Sequence, residues 1–233
     1  MLAKALVYAR CSIDNACDKD PELYRAEVRE QLELAIGSEV GTTTECGGQN
    51  PQTLALGREL AAYVIAADLI DLPTYDATFD TTTFRPWLRS LLTKELSGRT
   101  LQSTHEDRAN NWGTHAGASR AAVAIYLDDP AELQRTAQIF KGWLGDTASY
   151  NDFNYGDLDW QCDESAPVGV NPKDCRKEGF NIDGALPEEM RRGGGFMFPP
   201  GTTNYPWGAL QGATVTAELL SRQDYPAWEW EDN

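Results

Sequence analysis

The stretch Arg108-Ala-Asn-Asn-Trp-Gly-Thr-His-Ala-Gly-Ala-Ser-Arg120 gathers amides, an imidazole and two guanidiniums at the start of a predicted helix. Asn110 or Asn111 serves as its N-cap, the Ala-rich run continues to Leu127, and Asp128-Asp129-Pro130 stops it. Asn111 and His115 are four residues apart and share one face. Trp112, Ala116, Val123 and Tyr126 form a separate apolar stripe, while Gly113, Gly117, Ala118, Ala121 and Ala122 leave room for neighbouring backbones. An amide and an imidazole thus project together from a closely packed helix. The same residues admit a purely structural reading, in which Asn110 caps the helix and His115 is a hydrogen-bonded core histidine.

Further helices are predicted on both sides of this one. Upstream they are an opening segment from Met1 to Arg10, Glu22 to Ile36 after Asp20-Pro21, a helix begun by Asn50-Pro51 that reaches Ile70, and Phe84 to Leu96. Downstream are Ala131 to Leu144 after Pro130, and a last helix from about Gly208 to Leu220. Leu72 to Thr83 reads as turns, His105-Glu106-Asp107-Arg108 as part of a polar loop, and residues 145–205 as long loops. Arg58 and Tyr63 either face a cleft or serve as snorkelling and packing residues. The first half holds no alternating stretch long enough for a sheet core. The expected architecture is all-α, built from antiparallel helix pairs as one domain over residues 1–233. The chain opens as if already inside a helix and closes without a terminating element, so a trimmed piece of a longer protein is expected.

With 233 residues and 41% hydrophobic content, a sizeable core can form. A formal charge of −16 argues against a general nucleic-acid binder and against a binder of anionic membranes. It leaves room for an anionic substrate, provided that arginines collect in one place. The five cysteines are too dispersed and too short of histidines for a zinc site. Cys162 with Cys175, and two of Cys11, Cys17 and Cys46, are expected to form disulfides, which suits an oxidising compartment.

A second polar cluster, Arg191, Arg192 and Tyr205, lies on a Gly- and Pro-rich segment beside a helix start. It reads either as part of a site or as surface arginines with an anchored loop tyrosine. Adjacent Glu188 and Glu189 cannot both face one scissile bond. An inverting glycoside hydrolase of the α/α-toroid type would pair one of them with Asp157 or Asp159. A noncatalytic glycan-binding module is a third reading.

Taken together, the two clusters resemble the alginate lyase superfamily. Asn110-Asn111 opens an Ala-rich helix; Asp183-Gly-Ala-Leu-Pro-Glu-Glu189 and Arg192-Gly193 follow; then comes Tyr205, just ahead of Ala209-Leu210. The likeness runs over roughly residues 50 to 222 and is nearest in style to the polysaccharide lyases of family 5 and the related family 38. Two departures favour the family 38 side: Trp112-Gly-Thr separates Asn111 from His115, and an insertion lengthens the path from Arg192 to Tyr205.

The resemblance implies an incomplete (α/α) toroid with long active-site loops. It implies β-elimination on a uronic-acid polymer such as alginate (polymannuronate) or glucuronan, by a secreted or periplasmic enzyme needing no metal or cofactor. Asn111, His115 and Arg192 would neutralise the substrate carboxylate, and Tyr205 would act as base and then as acid. Phenols ionise near pH 10, so such a base needs a cation beside it, and Arg192 is the candidate. His115 would instead be the base where proton and leaving group lie on opposite faces of the sugar. Asn110, Trp112, Arg120, Arg191, Tyr155 and Trp160 would hold neighbouring sugars.

Overall fold

The computed structural model describes residues 1–14, 17, 20–40 and 52–230, and it is mostly helical. The expected helix start at Asn50-Pro51 and any pairing of Cys46 lie outside the described residues. The longer helices are α1 (Leu2–Asp14), α2 (Pro21–Ala35) and α3 (Gln52–Leu69). After two short turns, α4 (Leu72–Tyr75) and α5 (Ala77–Phe79), come α6 (Arg85–Thr93), α7 (Leu101–Asp107), α8 (Asn111–Leu127) and α9 (Pro130–Leu144). A loop region holds a two-stranded antiparallel hairpin, β1 (Arg176–Lys177) and β2 (Phe180–Asn181), and the one-turn α10 (Pro187–Met190). α11 (Tyr205–Ser221) follows.

The organising stretch forms α8, capped by the Asn110 side chain, which accepts from the Trp112 backbone N–H at 3.0 Å. Nearly every residue of α8 is buried, because Ala, Gly and Ser on all sides let other helices approach its backbone. α3 and α11 pack most extensively against it, with α7 and α9 completing the surround. The Ser119 hydroxyl ties α8 to α3, donating to the Gly57 carbonyl at 2.7 Å and accepting from the Ala61 N–H at 3.0 Å. Of its two main apolar clusters, Ala116, Val123 and Tyr126 join one with Leu60, Val64, Phe84 and Leu88. Ala121 and Ala124 join the other with Phe140, Trp143, Ala213 and Leu220.

Close approach is most demanding at Gly212 of α11, where an added Cβ would lie 2.5 Å from the His115 backbone nitrogen. Both partners are helix backbone and cannot yield locally. Gly212→Ala is expected to cost about 1–3 kcal/mol through overpacking. A shifted urea midpoint checks this, and an unchanged midpoint would show that α11 slides freely against α8.

Three expectations need correction. The polar loop before α8 is the helix α7, begun by a reciprocal capping box between Thr100 and Ser103. It is too short to show a helical repeat, and its inward residues include Thr104 and His105 as well as Leu101. Leu72 to Thr83 is not plain turn: besides α4 and α5 it enters a π-helical turn, Asp80–Phe84, where Asp80 accepts from the Tyr126 hydroxyl at 2.7 Å. The last helix starts at Tyr205 because Pro206, at its second position, owes no intrahelical hydrogen bond.

Disulfides join Cys11 to Cys17 and Cys162 to Cys175. The second staples the loop region around a small cluster of Trp160, Cys175 and Ile182. That region is anchored to the α7–α8 junction, where the Asn154 N–H donates to the Asp107 carbonyl at 2.9 Å and the Tyr150 hydroxyl to the Glu106 carbonyl at 2.6 Å. The anchoring brings α10 to the N-terminus of α8. No described helix is long and apolar enough to cross a membrane.

Candidate active site

Three helices converge on Gly208, in the first turn of α11. His115 of α8 faces the Gly208 backbone, closely enough for that backbone to favour its protonated form. An added Cβ on Gly208 would stand 3.7 Å from Asn111 Nδ2 and 4.0 Å from Arg58 Nη2, so α8 and α3 both reach this point. Tyr205 is three residues before Gly208, on the same face of α11. The Arg192 guanidinium lies over the Tyr205 ring, 4.1 Å from its centre. Asn111, His115, Arg192 and Tyr205 are therefore brought together, with Arg58 as a fifth member.

The electrostatics follow from burial. His115 is pushed down to about 4, chiefly by burial and then by the nearby Arg58 charge, so it is neutral at pH 7. Glu189, fully buried, is pushed up to about 7 by burial, although the Asn111 backbone N–H and the Arg192 charge oppose the shift. Arg58 and Arg192 have no ion-pair partner among the described residues. The cluster thus presents positive charge inside a chain whose net charge is −16.

Asn111 Oδ1, His115 Nε2 and Glu189 Oε2 are buried without a hydrogen-bond partner. Leaving such groups unmet costs about 1–3 kcal/mol each, a cost that a polar ligand arriving here would remove.

The two adjacent glutamates have separate tasks. Glu188 is buried, accepts from the Gly156 N–H at 2.6 Å and pairs with Arg191 at 2.9 Å, which fixes α10 against the loop. Glu189 instead holds the first backbone N–H of α8. Tyr155, half-buried against Phe153, adjoins Gly156, and burial together with Glu188 raises its phenol.

Beside this cluster is a cavity of about 430 Å³ lined by Thr53, Ser97, Arg99, Arg108, Asn110, Trp112, Arg191 and Arg192. Three of the expected sugar-holding residues, Asn110, Trp112 and Arg191, are among them. Two others are not brought here. Arg120 is fully buried, its guanidinium bound to Glu132 and, at 3.0 Å, to Glu106, so it cross-braces α7, α8 and α9. Trp160 is buried in the stapled loop cluster and donates to the Gly194 carbonyl at 3.0 Å.

Among the described residues no group of His, Cys, Asp and Glu has an arrangement suited to a metal ion. Neither the curated proteins nor the solved structures hold a significant match to the chain. Residues 53–149, which carry Arg58, Asn110, Asn111 and His115, match the family model described as alginate lyase. That match, over less than half of the chain, supports membership of the alginate lyase superfamily and indicates a polysaccharide lyase.

Proposed function

We propose that this lyase is a secreted or periplasmic enzyme cleaving a uronic-acid polymer, alginate (polymannuronate) or glucuronan, by β-elimination. Residues 1–233 act as one domain, an incomplete (α/α) toroid whose helix pairs carry the site at α8 and whose loops close over it. The reading rests on one observation above others: Asn111, His115 and Arg58 meet at the first turn of α11, where Arg192 covers Tyr205. The two disulfides support the compartment.

The C5 proton of a uronate is alpha to a carboxylate and resists removal until that carboxylate's charge is offset as the enolate-like state grows. Arg192 provides the offsetting charge, aided by Arg58 and by the positive N-terminus of α8, while Asn111 and the neutral His115 contribute as polar side chains beside it. Tyr205 takes the C5 proton. The C5–H electron pair becomes the C4–C5 double bond, the C4–O4 bond breaks, and the same phenol returns the proton to O4. A polymer whose C5 proton and O4 lie on opposite faces requires a second proton carrier, and neutral His115 with its unpartnered Nε2 fills that role.

Incubation with polymannuronate, polyguluronate and glucuronan, followed by ultraviolet absorbance, tests the reading, because elimination leaves a conjugated unsaturated uronate. Growth of that band on at least one polymer is the expected result. A flat trace on all three overturns the substrate class.

A further inference from the structure

We propose that Arg99 and Arg108 form a second carboxylate-binding subsite, for the uronate next to the one cleaved, so that the enzyme requires consecutive charged sugars. This rests on the lyase reading above and assigns residues which that reading leaves unused.

Arg99 follows α6 and Arg108 stands between α7 and α8, so two different connections deliver guanidiniums to one cavity. Both lean on the same carboxylate: Arg99 Nη1 is 2.6 Å and Arg108 Nε 3.5 Å from Asp107 Oδ2. Glu188 adds a second negative charge within reach of Arg108, but it is itself paired with Arg191 at 2.9 Å, so three guanidiniums share these two carboxylates. Arg108 Nε is moreover buried with no hydrogen-bond partner. Burial, then the Arg99 charge, holds Arg108 below the usual guanidinium range, with Arg191 adding to the repulsion. An anion between these side chains relieves that repulsion and supplies the missing acceptor.

The cavity's other lining residues describe the ligand. The half-buried Trp112 ring and the polar Thr53, Ser97 and Asn110 suit the face and hydroxyls of a sugar, which identifies the anion as a sugar carboxylate. Arg192 both lines this cavity and covers Tyr205, and Asn110 precedes Asn111 in the chain. The two subsites are therefore contiguous, as successive sugars of one polymer require.

Calorimetry on a Tyr205→Phe background, in which bound sugar is not consumed, tests this with free mannuronate, a mannuronate trimer and inorganic sulfate as probes. The trimer is expected to bind at least about tenfold more tightly than the monomer, the effect of one added charge-assisted contact. In Arg99→Gln/Arg108→Gln that gap should close, and in Arg99→Gln alone it should narrow, with urea midpoints verifying the fold. A gap that survives the double substitution overturns the proposal, as does sulfate binding as tightly as the trimer, which would mark a free-anion site. Failure of the lyase reading registers separately, as absence of unsaturated product from the unmodified enzyme.

Discussion

Tyr205→Phe is expected to lower kcat on the preferred polyuronate by about 10²- to 10⁴-fold, the usual contribution of a positioned proton carrier. Nothing else in the site is disturbed by the change. Tyr205 is 36% exposed, and its hydroxyl has no hydrogen-bond partner among the described residues, so removing the oxygen strands no buried group. The ring remains to accept the Arg192 guanidinium, because attraction to the ring face does not need the hydroxyl. KM and the urea midpoint should therefore stay close to those of the parent while kcat collapses. Retention of full turnover would remove Tyr205 from the chemistry and leave His115 as the proton acceptor. An equal fall in kcat and in stability would mean that the phenol had been structural.

Asn111 and His115 were legible in the sequence because a helix places residues four apart on one face, and because Asn110 announced where that helix begins. Arg58 was not. A lone arginine on an apolar helix reads as a snorkelling side chain, and its place beside His115 depends on how closely α3 meets α8. That closeness comes from Gly57, whose added Cβ would stand 3.1 Å from the Ala116 nitrogen, and no local pattern announces it. The reverse error concerns Arg120. It shares the helix of Asn111 and His115, but its direction around the axis turns it to Glu132 of α9 and to Glu106 of α7, and α7 is a helix the sequence conceals. Glu188 and Glu189 are indistinguishable by sequence and are parted by burial and partners alone. One braces Arg191 and a loop amide, and the other sits beneath the N-terminus of α8.

Substitution of Glu189 and of His115 is expected to tilt the pH dependence of stability in opposite directions. The folded-state value of His115 is about 4 against 6.5 for the free side chain. As pH falls below 6.5, the unfolded chain takes up a proton that the folded chain refuses, so this residue's contribution to stability is lost between 6.5 and 4. Glu189 is about 7 folded against 4.5 free. As pH rises above 4.5, the unfolded chain releases a proton that the folded chain retains, so stability falls from 4.5 to 7. Each effect amounts to about 2–3 kcal/mol once partial solvent screening is allowed for. Between pH 4.5 and 6.5 the two slopes oppose and nearly cancel in the parent. Glu189→Gln, whose amide oxygen can still accept from the Asn111 N–H, leaves the histidine slope alone, and stability should climb with pH through this window. At pH 7.5 this variant should exceed the parent, since it no longer carries a buried carboxylate. His115→Gln leaves the glutamate slope, and stability should decline as pH rises. Urea midpoints at half-unit pH intervals measure both slopes. If the two variants stay parallel to the parent, the buried pair does not hold its protons as the geometry requires. Opposite slopes would mean that both side chains are uncharged throughout this window, leaving Arg58 and Arg192 as the charges of the proposed site.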